Sequence, residues 1–372
     1  MAVSPVLIPP NGGFYAWRAV AGSFLIQACS FGYVFACGVF QYYYHEVMLP
    51  DATSQQLGWI TTLAEFLMLG AGVLMGHLVD TYGTRIVIAP FAAISVLALG
   101  LLSLCTKYWQ VFLCQGVLFG IACSGTTLPS IVCVTQWDSQ LPTEAEIPAN
   151  DPARRDRWAA LRHNAWAWAA FCAGGFFCML TILVPYNYLP QTAVAGGMDA
   201  GLAQYTVAIT NSGSTIGRVL PGFLSDHWGQ FNLMIMVSAT SALSMLAIWL
   251  PLAYHASEAG TLFFAAFYDF TSGGYTSLLS PFVVLLVDER LEDLGMKFGI
   301  ACGFISIGAL VGIPLVGAVR DSTGEFSGLI ALSGSLTAIG AVFMVMARVK
   351  KGGGSSRTSY SFTPLRLRQA IN

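Results

Sequence analysis

Long apolar stretches separated by short polar breaks set the pattern of this chain. A helix needs about 20 mainly apolar residues to cross the ~30 Å hydrocarbon layer of a bilayer. Ten stretches reach that length: 17–41, 57–79, 86–105, 108–136, 164–184, 202–225, 231–252, 261–287, 297–319 and 327–347. The Gly and Pro inside them are tolerated where neighbouring helices satisfy the freed backbone groups. The pattern predicts an all-α membrane protein of about 10 transmembrane helices. Residues 1–136 form an N-terminal bundle of four spans and 164–347 a C-terminal bundle of six. Residues 137–163, with five acids, four Arg and three Pro, read as a cytoplasmic linker. Residues 348–372 carry six basic residues and no acid, a disordered tail that marks orientation or meets anionic inner-leaflet lipid.

Charge placement orients the bundle. With the N-terminus cytoplasmic, fifteen of seventeen Lys and Arg fall on the cytoplasmic side, Lys107 and Arg320 being the exceptions. Both termini are then inside, and the plasma membrane is the expected location. Composition agrees: 55% of the 372 residues are hydrophobic and 10% charged, where soluble domains carry about 25% charged. A net charge of −2 and a pI near 6.2 disfavour nucleic acid as a partner. The nine Cys lie in apolar runs and read as small hydrophobes rather than metal ligands or disulfides. Residues 1–11 show neither a basic region nor a short apolar core, so no cleaved signal is expected.

One pattern recurs, Gly-x-x-x-Asp-x-x-Gly. It occurs as Gly76, Asp80 and Gly83, followed by Arg85, and again as Gly222, Asp226 and Gly229. A third copy, Gly317, Asp321 and Gly324, closes the ninth span. Glycines allow tight turns and close helix approach, and the Asp can cap a helix or hold a basic residue. The first two copies are expected to act in gating. After the second copy four spans follow, but after the first only two precede the linker. The chain thus reads as four plus six, cut down from six plus six by one helix pair.

The loop Gly76-His-Leu-Val-Asp80-Thr-Tyr-Gly83-Thr-Arg85 resembles the G-x-L-x-D-R-x-G-R/K signature of the major facilitator superfamily, with Thr81 where a basic residue is usual. Within it, Pro10-Asn11-Gly12-Gly13-Phe14-Tyr15-Ala16-Trp17 is similar to the opening of fungal monocarboxylate-transporter-like proteins. Gly38-Val39-Phe40-Gln41-Tyr42-Tyr43 and Ser272-Gly273-Gly274-Tyr275 with Ser280-Pro281 match further motifs of that family. The resemblance implies two helical bundles that rock about a central solute site. Lactate-type members carry a Lys in the first helix and an Asp four residues before the Arg matched by Arg218. This chain has Ser214 at that Asp position and no such Lys, so lactate is not implied. Fungal relatives without the pair include organic-acid transporters and efflux carriers of secondary metabolites.

An ionisable group inside the membrane costs about 2.5–3.5 kcal/mol on insertion scales and needs a reason. Arg218 can bind a carboxylate bidentately, or anchor to the cytoplasmic rim near Asp226. Asp269 can pair with Arg218, accept a proton, or serve as a structural Asp. Glu65 is either a proton site or a polar link between helices. Gln27, Asn211 and Gln115 sit on spans expected to line the cavity, where each could bind solute or join helices. Phe35 can wall a cavity, while Trp166 and Trp168 suit an interfacial belt. His77, His163 and His227 lack a nucleophile elbow or HExxH, so neither enzyme nor cofactor nor metal is expected. The sequence points to a secondary active transporter of a small organic solute, with a lipid bilayer as partner and proton coupling as an option. The alternative is a truncated or degenerate membrane protein that does not transport.

Overall fold

The computed structural model describes residues 14–138, 165–286 and 294–351. Among these residues every regular element is helical, and the helices align end to end as ten rods, one on each apolar stretch. The first rod joins Phe14–Phe35, Cys37–Tyr43 and a wide π turn, Tyr44–Met48. The second joins Ser54–Gly70 and Gly72–Tyr82, and the third is Thr84–Leu102. The fourth runs through Tyr108–Val111, a π segment Phe112–Phe119 and Gly120–Asp138. The fifth joins Ala165–Ile182 and Val184–Ala195, and the sixth is Ala200–Trp228. The seventh joins Gln230–Ser244, a π turn Met245–Trp249 and Leu250–Tyr254. Glu258–Leu286, Leu294–Thr323 and Phe326–Lys351 complete the set. By length and apolarity the first, third, fourth, fifth, seventh, ninth and tenth rods can each cross a bilayer. Most of the linker, Arg290 and most of the basic tail lie outside the described residues.

Local sequence explains the ends. Thr53 and Gln56 form a reciprocal capping box at the start of the second rod, and Asp199 Oδ2 accepts from the Leu202 N–H at the start of the sixth. Gly83, Gly229 and Gly324, the last glycines of the three repeats, have φ of 84°, 82° and 74°. That left-handed backbone turns one rod into the next, and a side chain there would strain it. In the third repeat Asp321 Oδ2 accepts from the Gln55 N–H at 3.3 Å, so the repeat's acid caps the second rod across the molecule. The side chains of Asp80 and Asp226 lie outside the described ones.

Along the chain the rods fall into two groups, those before and those after residues 139–164. In the C-terminal group the sixth and seventh rods pack on the eighth, the fifth packs on the ninth and tenth, and the seventh also meets the tenth. In the N-terminal group the first, second and third rods all pack on the fourth. The groups meet along two seams: the second rod against the ninth, and the upper piece of the first, Cys37–Tyr43, against the upper piece of the fifth, Val184–Ala195. Consecutive rods run antiparallel, so Phe14 and Lys351 share one face (the terminal face), and the turns at 49–53, 196–199 and 255–257 share the other, far face.

Candidate functional site

The first rod presents Gln27, Phe31 and Phe35 at four-residue spacing, hence on one side of the helix. Phe31 and Phe35 stack at 5.8 Å, and the Arg218 guanidinium of the sixth rod lies 5.1 Å from the Phe35 centroid and 5.9 Å from Phe31. Cation–π contact of this kind holds a guanidinium that has shed part of its water. Arg218 Nε is buried and has no hydrogen-bond partner among the described residues. Phe35 also meets Tyr186 of the fifth rod at 4.9 Å. The Tyr186 hydroxyl donates to Asp269 Oδ1, which also accepts from Ser272 at 3.0 Å, while Oδ2, with Ser214 nearby, makes no hydrogen bond of good geometry among the described residues.

Glycine sets the spacing of this centre. A Cβ on Gly217 would strike the Phe270 carbonyl oxygen, and one on Gly273 would come 3.0 Å from Ser214 Oγ. The sixth and eighth rods therefore touch backbone to backbone between Arg218 and Asp269. The two charges face the same small volume, but the ion pair found among the described residues is His45 with Glu46, not Arg218 with Asp269. Arg218 is left facing aromatic rings, and Asp269 is oriented by a phenol and a serine hydroxyl.

The other sequence candidates divide. Asn211 lies two turns from Arg218 on the sixth rod, and its Nδ2 donates to the Val207 carbonyl of its own helix at 3.0 Å. Gln27 Nε2 donates to the Thr127 carbonyl on the fourth rod at 3.3 Å, with its Oε1 unpaired beside the centre. Gln115 accepts from the Tyr44 hydroxyl at 2.6 Å, a buried link between two π segments away from Arg218. Glu65 is 3% exposed on the second rod, apart from the Arg218 group. Sequence reading missed Tyr186 and Phe31. The Pro-Tyr-Asn-Tyr run at 185–188 was the available signal, a polar cluster inside an apolar span.

No family model matches the chain. The MFS-type transporter hasB of Aspergillus fumigatus is 40% identical to it, over 93% of this chain and 92% of the relative. The agnestins efflux protein AgnL12 of Paecilomyces divaricatus is 30% identical, over 92% and 90% respectively. A point mutant of the nucleoside transporter NupG shares the fold, with a TM-score of 0.60 at 13% identity over 91% of this chain and 99% of its own. The hasB alignment spans 413 positions, while 93% of 372 residues is about 346, so about 67 positions face no residue of this chain. The same comparison leaves about 55 for the Paecilomyces relative.

Proposed function

From the premise that the chain belongs to the MFS-type transporters, we propose that it exports a small organic solute, an organic anion or a secondary metabolite, by alternating access. Transport itself follows from the relatives, which are transporters over more than nine-tenths of this chain and do not favour the degenerate alternative. Export follows the names of several relatives, the agnestins, aspyridones and fujikurins efflux proteins. The fungal monocarboxylate-porter motifs support the finer family assignment. The Lys and Arg asymmetry supports cytoplasmic termini, and the plasma membrane is the natural site for an exporter.

One observation carries the solute reading: a guanidinium with a partner-free Nε, backed by two phenyl rings, where the first and sixth rods converge. In a low-dielectric site such a group attracts a carboxylate or enolate far more strongly than in water. Asp269 and Tyr186 close the opposite wall, and Asp269 is the first candidate for a proton carried with the solute. Gln27 and Asn211 add adaptable hydrogen-bonding groups. The Gly76, Asp80, Gly83 and Arg85 loop and its Gly222, Asp226 and Gly229 counterpart suit gating on the terminal face.

The test is export from yeast secretory vesicles across a panel of organic acids, with surface expression measured alongside. Arg218→Ala should cut transport at least ~tenfold, the cost of a hydrogen bond to a charged group, and Arg218→Lys less because charge survives without the planar fork. Normal transport by Arg218→Ala at equal expression would reduce Arg218 to a rim anchor.

A further inference from the structure

A second buried polar group lies at the far-face seam, away from Arg218. It draws Gln41 from the first rod, Glu65 from the second, and Asn187 and Tyr188 from the fifth, all 3% exposed or less. Both amide atoms of Gln41, Glu65 Oε2, Asn187 Oδ1 and the Tyr188 hydroxyl make no hydrogen bond of good geometry among the described residues, although Gln41 and Tyr188 lie close enough to interact with each other. Folded proteins leave few such atoms unpaired, so five in one place from three helices call for a bound polar species.

The group is continuous with the rim. Cys37, one turn from Gln41, stands beside both Glu65 and Asn187. Gln41 stands beside Tyr188. A Cβ on Gly317 would come 2.9 Å from the Tyr188 hydroxyl and 3.2 Å from the Gln55 backbone, whose N–H is held by Asp321. Polar atoms therefore step from Asp321 at the far face through Tyr188 to Gln41, and one turn along the first rod Cys37 leads on to Asn187 and Glu65. The fourth rod faces this part of the second with Gly116 and Gly120, packed on Ile60 and Ala64. The titratable groups around the line are Cys37 on the first rod, Tyr186 and Tyr188 on the fifth, and Arg320 and Asp321 on the ninth. No charged side chain among the described residues acts on Glu65.

The same place is where the two groups of rods close. A Cβ on Gly38 would strike the Tyr186 carbonyl oxygen, so the first and fifth rods touch directly beside the cluster. A carboxylate enclosed in apolar surroundings without a cation is far more costly than a neutral carboxyl group. Two carboxamides, a phenol and a carboxyl offer both donors and acceptors, the mixture that water satisfies.

We propose that Gln41, Glu65, Asn187 and Tyr188 hold a short chain of water at the far-face closure, along which Glu65 exchanges a proton with the far compartment. Hydronium at the rim gives its proton through the water to the Glu65 carboxylate as the first and fifth rods close. When they part, the carboxyl group returns it to water. Acid on the far side thereby favours the closed form, which rests on the alternating-access reading above.

The test needs no solute. The whole chain in nanodiscs is followed by infrared difference spectroscopy of protonated carboxyl C=O stretches, in H2O and after a switch to D2O. Glu65→Gln should remove one band that Asp269→Asn leaves in place. Tyr188→Phe and Gln41→Leu should keep that band but slow its deuterium shift ~tenfold, a rate cost of about one hydrogen bond. No band lost in Glu65→Gln would overturn the proposal, since Glu65 is then charged or ion-bound. Loss of the band when Na+ replaces K+ would overturn it in favour of a cation site. Wild-type exchange in both Tyr188→Phe and Gln41→Leu would overturn the route. Failed transport with these bands intact would sink the export reading and leave this site standing.

Discussion

In the C-terminal group the fifth rod is wrapped by the ninth and tenth, and the seventh is covered by the tenth. The first and third rods hold the matching places in the N-terminal group, and there they pack chiefly on the fourth. The consequence is visible in burial: 72% of the fifth rod's apolar span is buried inside the protein, against 28% of the first and 11% of the third. The sixth rod shares the bare side, with Tyr205, Ile216, Val219 and Phe223 all more than half exposed. Exposed faces thus lie on the first, third and sixth rods, of which the first and sixth already meet at Arg218 and Phe35. The relatives' alignments carry about 55 to 67 positions that this chain lacks, the length of two spans of ~20 residues with their turns.

Glycines sharpen the contrast. In the C-terminal group they mark contacts between backbones: a Cβ on Gly312 would strike the Leu180 carbonyl oxygen, and Gly174 and Gly340 face each other's carbonyls at 3.0 Å. On the first and third rods, Gly22, Gly32 and Gly100 meet nothing within 4 Å. Small residues in membrane helices let a neighbour approach, and here no neighbour does so among the described residues. The two groups therefore differ less in their sequence pattern than in what is present to complete it.

The largest effect is expected from completing the short group. Inserting into 138–164 a two-span segment of about 60 residues taken from hasB should cover all three faces at once. A chain of this size gains ~2 °C in Tm per kcal/mol, so burial of several side chains should raise Tm by roughly 10 °C. Transport should rise with it. An insertion that leaves Tm and transport unchanged would show that lipid alone satisfies the bare faces.

A smaller effect is expected within the complete group. Gly312→Leu forces the fifth and ninth rods apart and should cost about 3 kcal/mol, the upper part of the range for overpacking. Thermal unfolding of the purified chain would read this as a fall of several degrees. A silent Gly312→Leu would mean that the backbone contact is not what holds those rods together.

Much of this architecture was legible in the sequence because bilayer thickness fixes the length of an apolar run. The seven rods long and apolar enough to cross a bilayer sit on expected stretches, and each repeat ends on the glycine whose positive φ turns the chain. Breaks inside rods were not legible. Ala36, Ala71 and Leu183 interrupt the helices, and only Leu183 is followed closely by a proline, Pro185. The π segment at Phe112–Phe119 is equally silent, yet it shifts the helix register enough to turn Gln115 toward Tyr44. Arg218 and Asp269 stood out as charges in apolar runs. Tyr186, which orients Asp269, stood out less, because the Pro-Tyr-Asn-Tyr run marks a polar cluster without showing which hydroxyl finds a partner.

The smallest expected effect is also the most specific to the contrast between the groups. Gly22→Leu, Gly32→Leu and Gly100→Leu place side chains where nothing lies within 4 Å, on faces turned outward to lipid. Leucine is as apolar as the lipid and a better helix former than glycine by up to about 1 kcal/mol. In the 372-residue chain each change should be neutral or raise Tm by a degree or two. In the chain extended by the hasB segment the same positions should become helix contacts, and the same leucines should destabilise by about 1–3 kcal/mol. The reversal of sign is the decisive reading, because a general effect of leucine on expression or helix propensity would be the same in both backgrounds. Equal Tm changes in the two backgrounds would place the added segment somewhere other than on the first and third rods, and the gap would then need another explanation.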